Sequence, residues 1–158
     1  MSPVLSTRPA TAADVDVLRA LYRRSSLSNA GDRAALLAAP DALEWTGDHV
    51  ASGGTLVAVD EAGVVLGFAT VVPLEEGLEL DDLFVDPDHM RRGVATRLVS
   101  ALAEDAVASG KAWLDVTANP HAAAFYASAG FVERERVETR FGVAARLRLS
   151  LGPSGMPA

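Results

Sequence analysis

Three apolar, strand-like runs crowd residues 55 to 85 with almost nothing between them, and the next such run arrives only after a long helical stretch. "TLVAVD", "VVLGFATVV" and "LELDDLFV" are separated by "EAG" and "PLEEG". Connections that short return the chain antiparallel to itself. From Gly93 the period changes: Val94, Leu98, Val99, Leu102 and Ala106 recur at helical spacing until Ser109 and Gly110, which marks one buried helix face and its stop. "AWLDVT" then reads as a strand. A strand, a helix and a strand in that order make a parallel crossover, right-handed in nearly all proteins. The expected fold class is therefore α/β with a mixed α+β sheet, strands two to four antiparallel and strands four and five parallel. Ligands gather beside the carboxyl ends of strands where a sheet changes direction in this way.

The flanks complete the pattern. "VLSTRPATAADVDVLRALYRR" predicts a short strand, a Thr or Asp cap, and a helix with Val15, Leu18, Leu21 and Tyr22 on one face. A second helical region is expected from about Ala34 to Ala51, broken by Pro40. "PHAAAFYASAG" predicts a short helix closed by Gly130, and "FVERERVET" with "FGVAARLRLSL" a final hairpin. The expected organisation is one domain over residues 1–151, with 152–158 as a flexible tail. In "LELDDLFV", strict alternation puts Leu78 and Leu80 on one face and Leu83 and Val85 on the other, whereas counting Asp81 and Asp82 as one position unites all four. That is the mark of a bulge, the favoured reading over a strand covered by helices on both faces.

Composition narrows the chemistry. With 49% hydrophobic residues in 158, the chain can bury a sizeable core. Its 21 acidic against 14 basic residues leave a formal charge of −7, which disfavours nucleic acid or an anionic membrane as partner. There is no cysteine, so disulfides, thiolate metal sites and a Cys nucleophile are excluded. His49, His89 and His121 lack ligand spacing, and no metal is expected. No run approaches the roughly 18 apolar residues of a membrane span, so the expected location is cytoplasmic.

Against this acidic background, "HMRRGVATRL" sets Arg91, Arg92 and Arg97 around Gly93 where a helix begins. Free amides at a helix start carry positive partial charge, and a glycine admits close approach, so the stretch suits a phosphate or pyrophosphate. Solvated arginines behind an Asp88 cap are the plainer alternative. It lacks the G-K-[ST] of a Walker loop.

"LFVDPDHMRRGVATRLV", followed by "WLDVTANPHAAAFYASAGF", resembles the GNAT superfamily of acyl-CoA-dependent N-acyltransferases. The family's phosphate motif, Gln or Arg, two residues, Gly, one residue, then Gly or Ala, falls here on Met90, Gly93 and Ala95, and Met90 departs from it. The element order is similar over roughly residues 8 to 150, with specific motifs confined to 79 to 131. The resemblance implies acetyl-CoA as co-substrate and no metal. It implies that the backbone of Leu83, Phe84 and Val85 binds the pantetheine arm and that Arg91, Arg92, Gly93, Val94, Ala95 and Thr96 cradle the pyrophosphate. Asn119 before Pro120 is explained in full as a helix cap, and by resemblance also contacts coenzyme A. Tyr126 matches the Tyr that protonates the departing thiolate, although core packing also accounts for a Tyr in "AFYASAGF". Glu79 stands where several members carry a general base, with Asp81, Asp82 or water as alternatives. The implied activity is N-acetyl transfer to a primary amine, and the acidic run from Glu75 to Asp82 in a chain of charge −7 favours a small cationic amine or a peptide amine as acceptor. A non-catalytic acyl-CoA-binding module and a protein N-terminal or lysine acetyltransferase are the rival readings, and a homodimer is one open assembly state.

Overall fold

A computed structural model of the chain describes residues 5–28, 30–90, 92–139 and 142–151. In chain order it holds β1 (Ser6–Pro9), α1 (Val15–Leu27), α2 (Ala30–Leu37), β2 (Thr55–Val59), β3 (Val65–Pro73), β4 (Gly77–Val85), α3 (Val94–Ala108), β5 (Trp113–Ala118), α4 (Pro120–Ser128), β6 (Val132–Thr139) and β7 (Gly142–Ser150). The strands are hydrogen-bonded in the order β1-β2-β3-β4-β5-β7-β6. The expected tail, 152–158, lies outside the described residues. Among those described, no helix is long and apolar enough to cross a membrane.

The chain packs as two compact units, one running through Thr70 and joined by Asp82–Val99, the other made of Val71–Asp81 and the chain from Ser100 onward. In the first unit, β1 pairs antiparallel with β2 and β2 antiparallel with β3. The β2–β3 register slips by one residue, Ala58 facing Gly67 and Val59 facing Val65, a bulge that periodicity alone does not disclose. Leu18 and Leu21 of α1 are fully buried with Val57 and Phe68 of the sheet. Two hydroxyls lie in this apolar layer. Thr55 and Thr70 are register partners and satisfy each other at 3.1 Å, as buried polar groups must.

The expected second helix is shorter and earlier than its pattern suggests. It ends at Leu37, and Pro40 opens a separate 3-10 turn, Pro40–Leu43, because the residue before a proline is driven out of helical geometry. Residues 44–54 are turns rather than helix. Tertiary contacts hold them: the Trp45 indole donates to Asp82 at 2.8 Å and meets Phe68 edge-on at 5.0 Å, while Arg19 donates to the Trp45 carbonyl at 3.1 Å.

The second unit carries the parallel pair. β4 runs beside β5 from Gly77↔Trp113 to Leu80↔Val116, and β5 and β6 both pair antiparallel with β7. Within a strand, Gly77 has a steric reason: a Cβ there would sit 2.2 Å from the Trp113 indole nitrogen. β4 returns from β3 through residues 74–76, a connection too short for any but an antiparallel neighbour. β4, α3 and β5 form the parallel crossover expected from the sequence.

At the amino end, Asp14 accepts from Arg8 at 2.8 and 3.0 Å and from the Thr11 amide at 2.8 Å. The Arg8 hydrogen bond, ahead of the Thr11 contact, pulls the Asp14 carboxyl down to about 2. A carboxyl depressed in the folded state stabilises the fold above its unfolded value and loses that contribution as pH falls through the folded one. Asp14→Asn should therefore lower the thermal midpoint at neutral pH, and the gap from wild type should close between roughly pH 4 and pH 2. Thermal unfolding across that range checks it.

Candidate active site

In the first unit, the carboxyl end of β4, the turn after it and the start of α3 form one continuous segment. Within β4 the parallel ladder to β5 ends at Leu80, so among the described residues Asp81–Val85 extend beyond it. Leu83, Phe84 and Val85 are half-buried. Phe84 is anchored from the core side, edge-on to Tyr22 at 4.7 Å and tilted against Phe68 at 5.7 Å. The Asp86 amide donates to the Leu66 carbonyl at 2.8 Å.

Asp86 then opens the 3-10 turn Pro87–His89, its side chain accepting from the Asp88 amide at 3.0 Å and from Arg24 of α1 at 2.7 Å. Burial alone would raise the Asp86 carboxyl, but these two donors outweigh it and hold it below the ordinary range. Asp86, rather than Asp88, is the capping carboxylate of this turn.

The α3 ladder opens with the Arg97 amide on the Gly93 carbonyl at 2.9 Å, so the Val94, Ala95 and Thr96 amides precede the first intrahelical bond. Gly93 has φ of 80°, and a Cβ built on it meets nothing within 4 Å. The backbone there is in a conformation that favours glycine, and the space beside it is open. Arg92 and Thr96 are exposed, Ala95 is half-buried, and Val94 is buried as the foot of the helix. Arg91 lies outside the described residues. A pyrophosphate fits this donor set: backbone amides at a helix start, an open glycine and exposed arginine. Met90, where the family motif has Gln or Arg, is exposed.

Sequence reasoning missed the residue that seats this segment. A Cβ on Gly67 of β3 would lie 2.8 Å from the Phe84 carbonyl oxygen and 2.9 Å from Val94 Cγ1. Only a glycine lets strand β4 and the foot of α3 close together here. Its signal was available, since a glycine inside a strand pattern marks a close backbone approach.

In the second unit, Glu79 projects from β4 and is half-buried. Arg146 of β7 donates to Glu79 Oε1 through Nη1, and the same nitrogen donates to Thr117 Oγ1 at 2.7 Å. Glu79 Oε2 is buried without a hydrogen-bond partner. An unpaired buried polar atom costs about 1–3 kcal/mol, so this oxygen is where a donor is wanted. Asp115, the register partner of Glu79, is buried and clamped by Arg148 at 2.7 and 2.9 Å, with Arg146 Nη2 at 3.7 Å. Arg148 also lies 4.0 Å over the Trp113 ring. The two rival carboxylates differ: Asp81 is exposed, and Asp82, in the first unit, accepts from Trp45.

Asn119 caps α4 with Pro120 behind it, its side-chain oxygen accepting from the Ala122 amide at 3.0 Å. The cap uses the oxygen and leaves the amide nitrogen as the side chain's donor. Tyr126 is 5% exposed and packs edge-on between Phe125 and Phe131, 5.2 Å from each. Burial pushes its phenol well above the ordinary range. The ring is core, and the hydroxyl stays protonated at any physiological pH. Among the described residues no group of three His, Cys, Asp or Glu could hold a metal ion.

Residues 17–131 match the model of the acetyltransferase (GNAT) family. The chain belongs to that family. It is an acetyl-CoA-dependent N-acetyltransferase by membership, and its solved relatives agree in fold. It is similar to a GCN5-related N-acetyltransferase from Rhodopseudomonas palustris, 26% identical, with 96% of this chain and 97% of that one covered and a TM-score of 0.73. The ribosomal-protein-alanine N-acetyltransferase of Escherichia coli shares 20% identity over 93% of this chain and 94% of its own, TM-score 0.70. A spermidine N-acetyltransferase from Vibrio cholerae, solved with coenzyme A and spermine, shares 17% over 96% of each chain, TM-score 0.69. No curated protein sequence matches the chain.

Two glycines in this acetyltransferase separate fit from charge. Gly67→Ala should push Phe84 and Val94 apart, lowering stability by about 1–3 kcal/mol, the usual range for overpacking, and weakening acetyl-CoA together with it. Gly93→Asp faces open space but sets a side chain at a φ of 80°, a strain of about 1–2 kcal/mol that Asp tolerates better than most residues, so the protein should remain folded while calorimetric binding of acetyl-CoA disappears, because a carboxylate repels the pyrophosphate.

Proposed function

We propose that this acetyltransferase moves the acetyl group of acetyl-CoA to a primary amine by direct attack, without a covalent acyl-enzyme, and that the acceptor is a small cationic amine or a peptide amine. The observation that carries the reading is Glu79: one carboxylate oxygen is held by Arg146 and the other is buried with no donor. An N–H of the acceptor, or an O–H of a water relaying its proton, is the donor that this oxygen lacks. Glu79 is then the general base, ahead of Asp82, whose carboxylate is engaged by Trp45.

The acceptor arrives as an ammonium, with an ordinary pKa near ~10.4 for a lysine-like amine. One proton passes to Glu79 Oε2, directly or through water, and the freed nitrogen lone pair attacks the thioester carbonyl carbon. The C–N bond forms, the C–S bond breaks, and the second proton leaves nitrogen for solvent. Tyr126 gives its hydroxyl proton to the departing thiolate and recovers one from water. The sum is amide, coenzyme A thiol and one released proton. The backbone of Leu83, Phe84 and Val85 holds the pantetheine arm, and the Val85 amide polarises the carbonyl. Arg91, Arg92 and the amides from Gly93 to Thr96 hold the pyrophosphate, and the Asn119 amide adds a donor to coenzyme A. The exposed carboxylates of Glu75, Glu76 and Asp81 in a chain of charge −7 favour an acceptor that carries positive charge.

Tyr126→Phe should lower kcat about 10²-fold with acetyl-CoA affinity kept, the low end for loss of a general acid, since a buried phenol is a weaker acid than a thiol. At subsaturating amine, activity should rise with pH as the neutral fraction of acceptor grows. The deciding experiment is release of free thiol from acetyl-CoA over a panel of polyamines, aminoglycosides, amino acids, amino-terminal peptides and an uncharged arylamine. Turnover of the arylamine alone removes the cationic acceptor, and unchanged chemistry in Tyr126→Phe removes the acid.

A further inference from the structure

The charged side chains on one face of β4, β5 and β7 are linked in register. Glu79 faces Asp115 and Asp115 faces Arg148, while Thr117 faces Arg146 and Arg146 faces Glu135 of β6. Within this face Arg148 is committed to Asp115 through two donors, and its guanidinium is stacked over Trp113. Arg146 is placed differently. Its Nη1 is shared between Glu79 and Thr117, and its Nη2 reaches toward Asp115 at 3.7 Å. Three groups from two strands therefore fix where one guanidinium lies, and that guanidinium fixes one oxygen of Glu79.

We infer that Arg146 is a positioning residue for the acyl transfer: it clamps Glu79 Oε1, thereby aiming the unpartnered Oε2 at the acceptor nitrogen. This rests on Glu79 as the base. A carboxylate anchored at one oxygen loses rotational freedom and presents the other in a fixed direction. The surrounding charges are balanced, Glu79 and Asp115 against Arg146 and Arg148, with the exposed Glu135 beyond Arg146. β3, the other neighbour of β4, contributes no ionisable side chain. Arg146 is thus the one cation of this face hydrogen-bonded to Glu79 among the described residues. Thr117, by fixing Nη1, supports it from β5.

Arg146→Gln, Arg146→Lys, Thr117→Val and Glu79→Gln, with the Glu79→Gln/Arg146→Gln double variant, test this with acetyl-CoA and the best amine of the panel. Arg146→Gln should lower kcat about 10- to 100-fold and leave acetyl-CoA affinity as in wild type. Arg146→Lys, which keeps a donor but not the forked geometry, should recover part of that kcat. In the Glu79→Gln background, removing Arg146 should cost nothing further. Wild-type kcat in Arg146→Gln, or an undiminished further loss in the double variant, overturns the positioning role. Should Arg146→Gln fail to fold, the smaller drop in kcat expected of Thr117→Val decides, and wild-type kcat there overturns the proposal. Failure of the underlying reading looks different: Glu79→Gln itself would keep wild-type turnover.

Discussion

Parallel pairing of β4 with β5 is the constraint on which the rest depends. Parallel neighbours cannot be joined by a tight turn, so the chain must leave β4 at its carboxyl end and return through a helix. That sets the amino terminus of α3 just past the end of β4, with Asp86 and the Pro87–His89 turn as the corner. The ladder ends at Leu80 while the strand continues to Val85, so strand edge, corner and helix start follow one another as a single run of backbone donors and acceptors. Gly67 makes the run compact, since any side chain there would collide with the Phe84 carbonyl and Val94. Arg24 on Asp86 and the Tyr22 and Phe68 rings around Phe84 hold the same run from the core.

The second unit manages charge inside a sheet. Asp115 is 5% exposed, and a buried carboxylate is tolerated only when paired and hydrogen-bonded. Arg148 supplies two charge-assisted bonds and is itself shielded by the Trp113 ring. With Asp115 held chiefly by Arg148, Arg146 Nη1 serves Glu79, and one carboxylate oxygen of Glu79 is left without a donor. Networks of this kind are costly when part-satisfied, which is why the orphan oxygen of Glu79 is the feature that most strongly asks for a substrate or a water.

Fold and acceptor are separate matters in this family. Relatives whose names specify a ribosomal-protein alanine and spermidine overlay on this chain almost equally, at TM-scores of 0.70 and 0.69. Likeness of backbone therefore does not separate the acceptors that those two names specify. Here residues 44–54 are held by Trp45, Arg19 and Asp82 rather than by helical hydrogen bonding, so their shape depends on contacts that another sequence need not share.

By itself the sequence determined the order of elements, the antiparallel-to-parallel change and the helix start at Gly93, because strand and helix periods, short connections and glycine stops are local properties of neighbouring residues. It also determined the Asn119 cap, a matter of one side chain and the next turn. Other features belong to tertiary structure alone. The turns that replace a helix over 44–54, the engagement of Asp82 by Trp45 and that of Glu79 by Arg146 rest on residues 26 to 67 positions apart. No local period encodes such pairings, since strand register and buried volume settle which distant side chains meet. Glu79 was legible as a carboxylate in the right strand. That one of its oxygens is clamped and the other left without a donor follows only from β7 lying beside β5, which brings Arg146 within reach of β4.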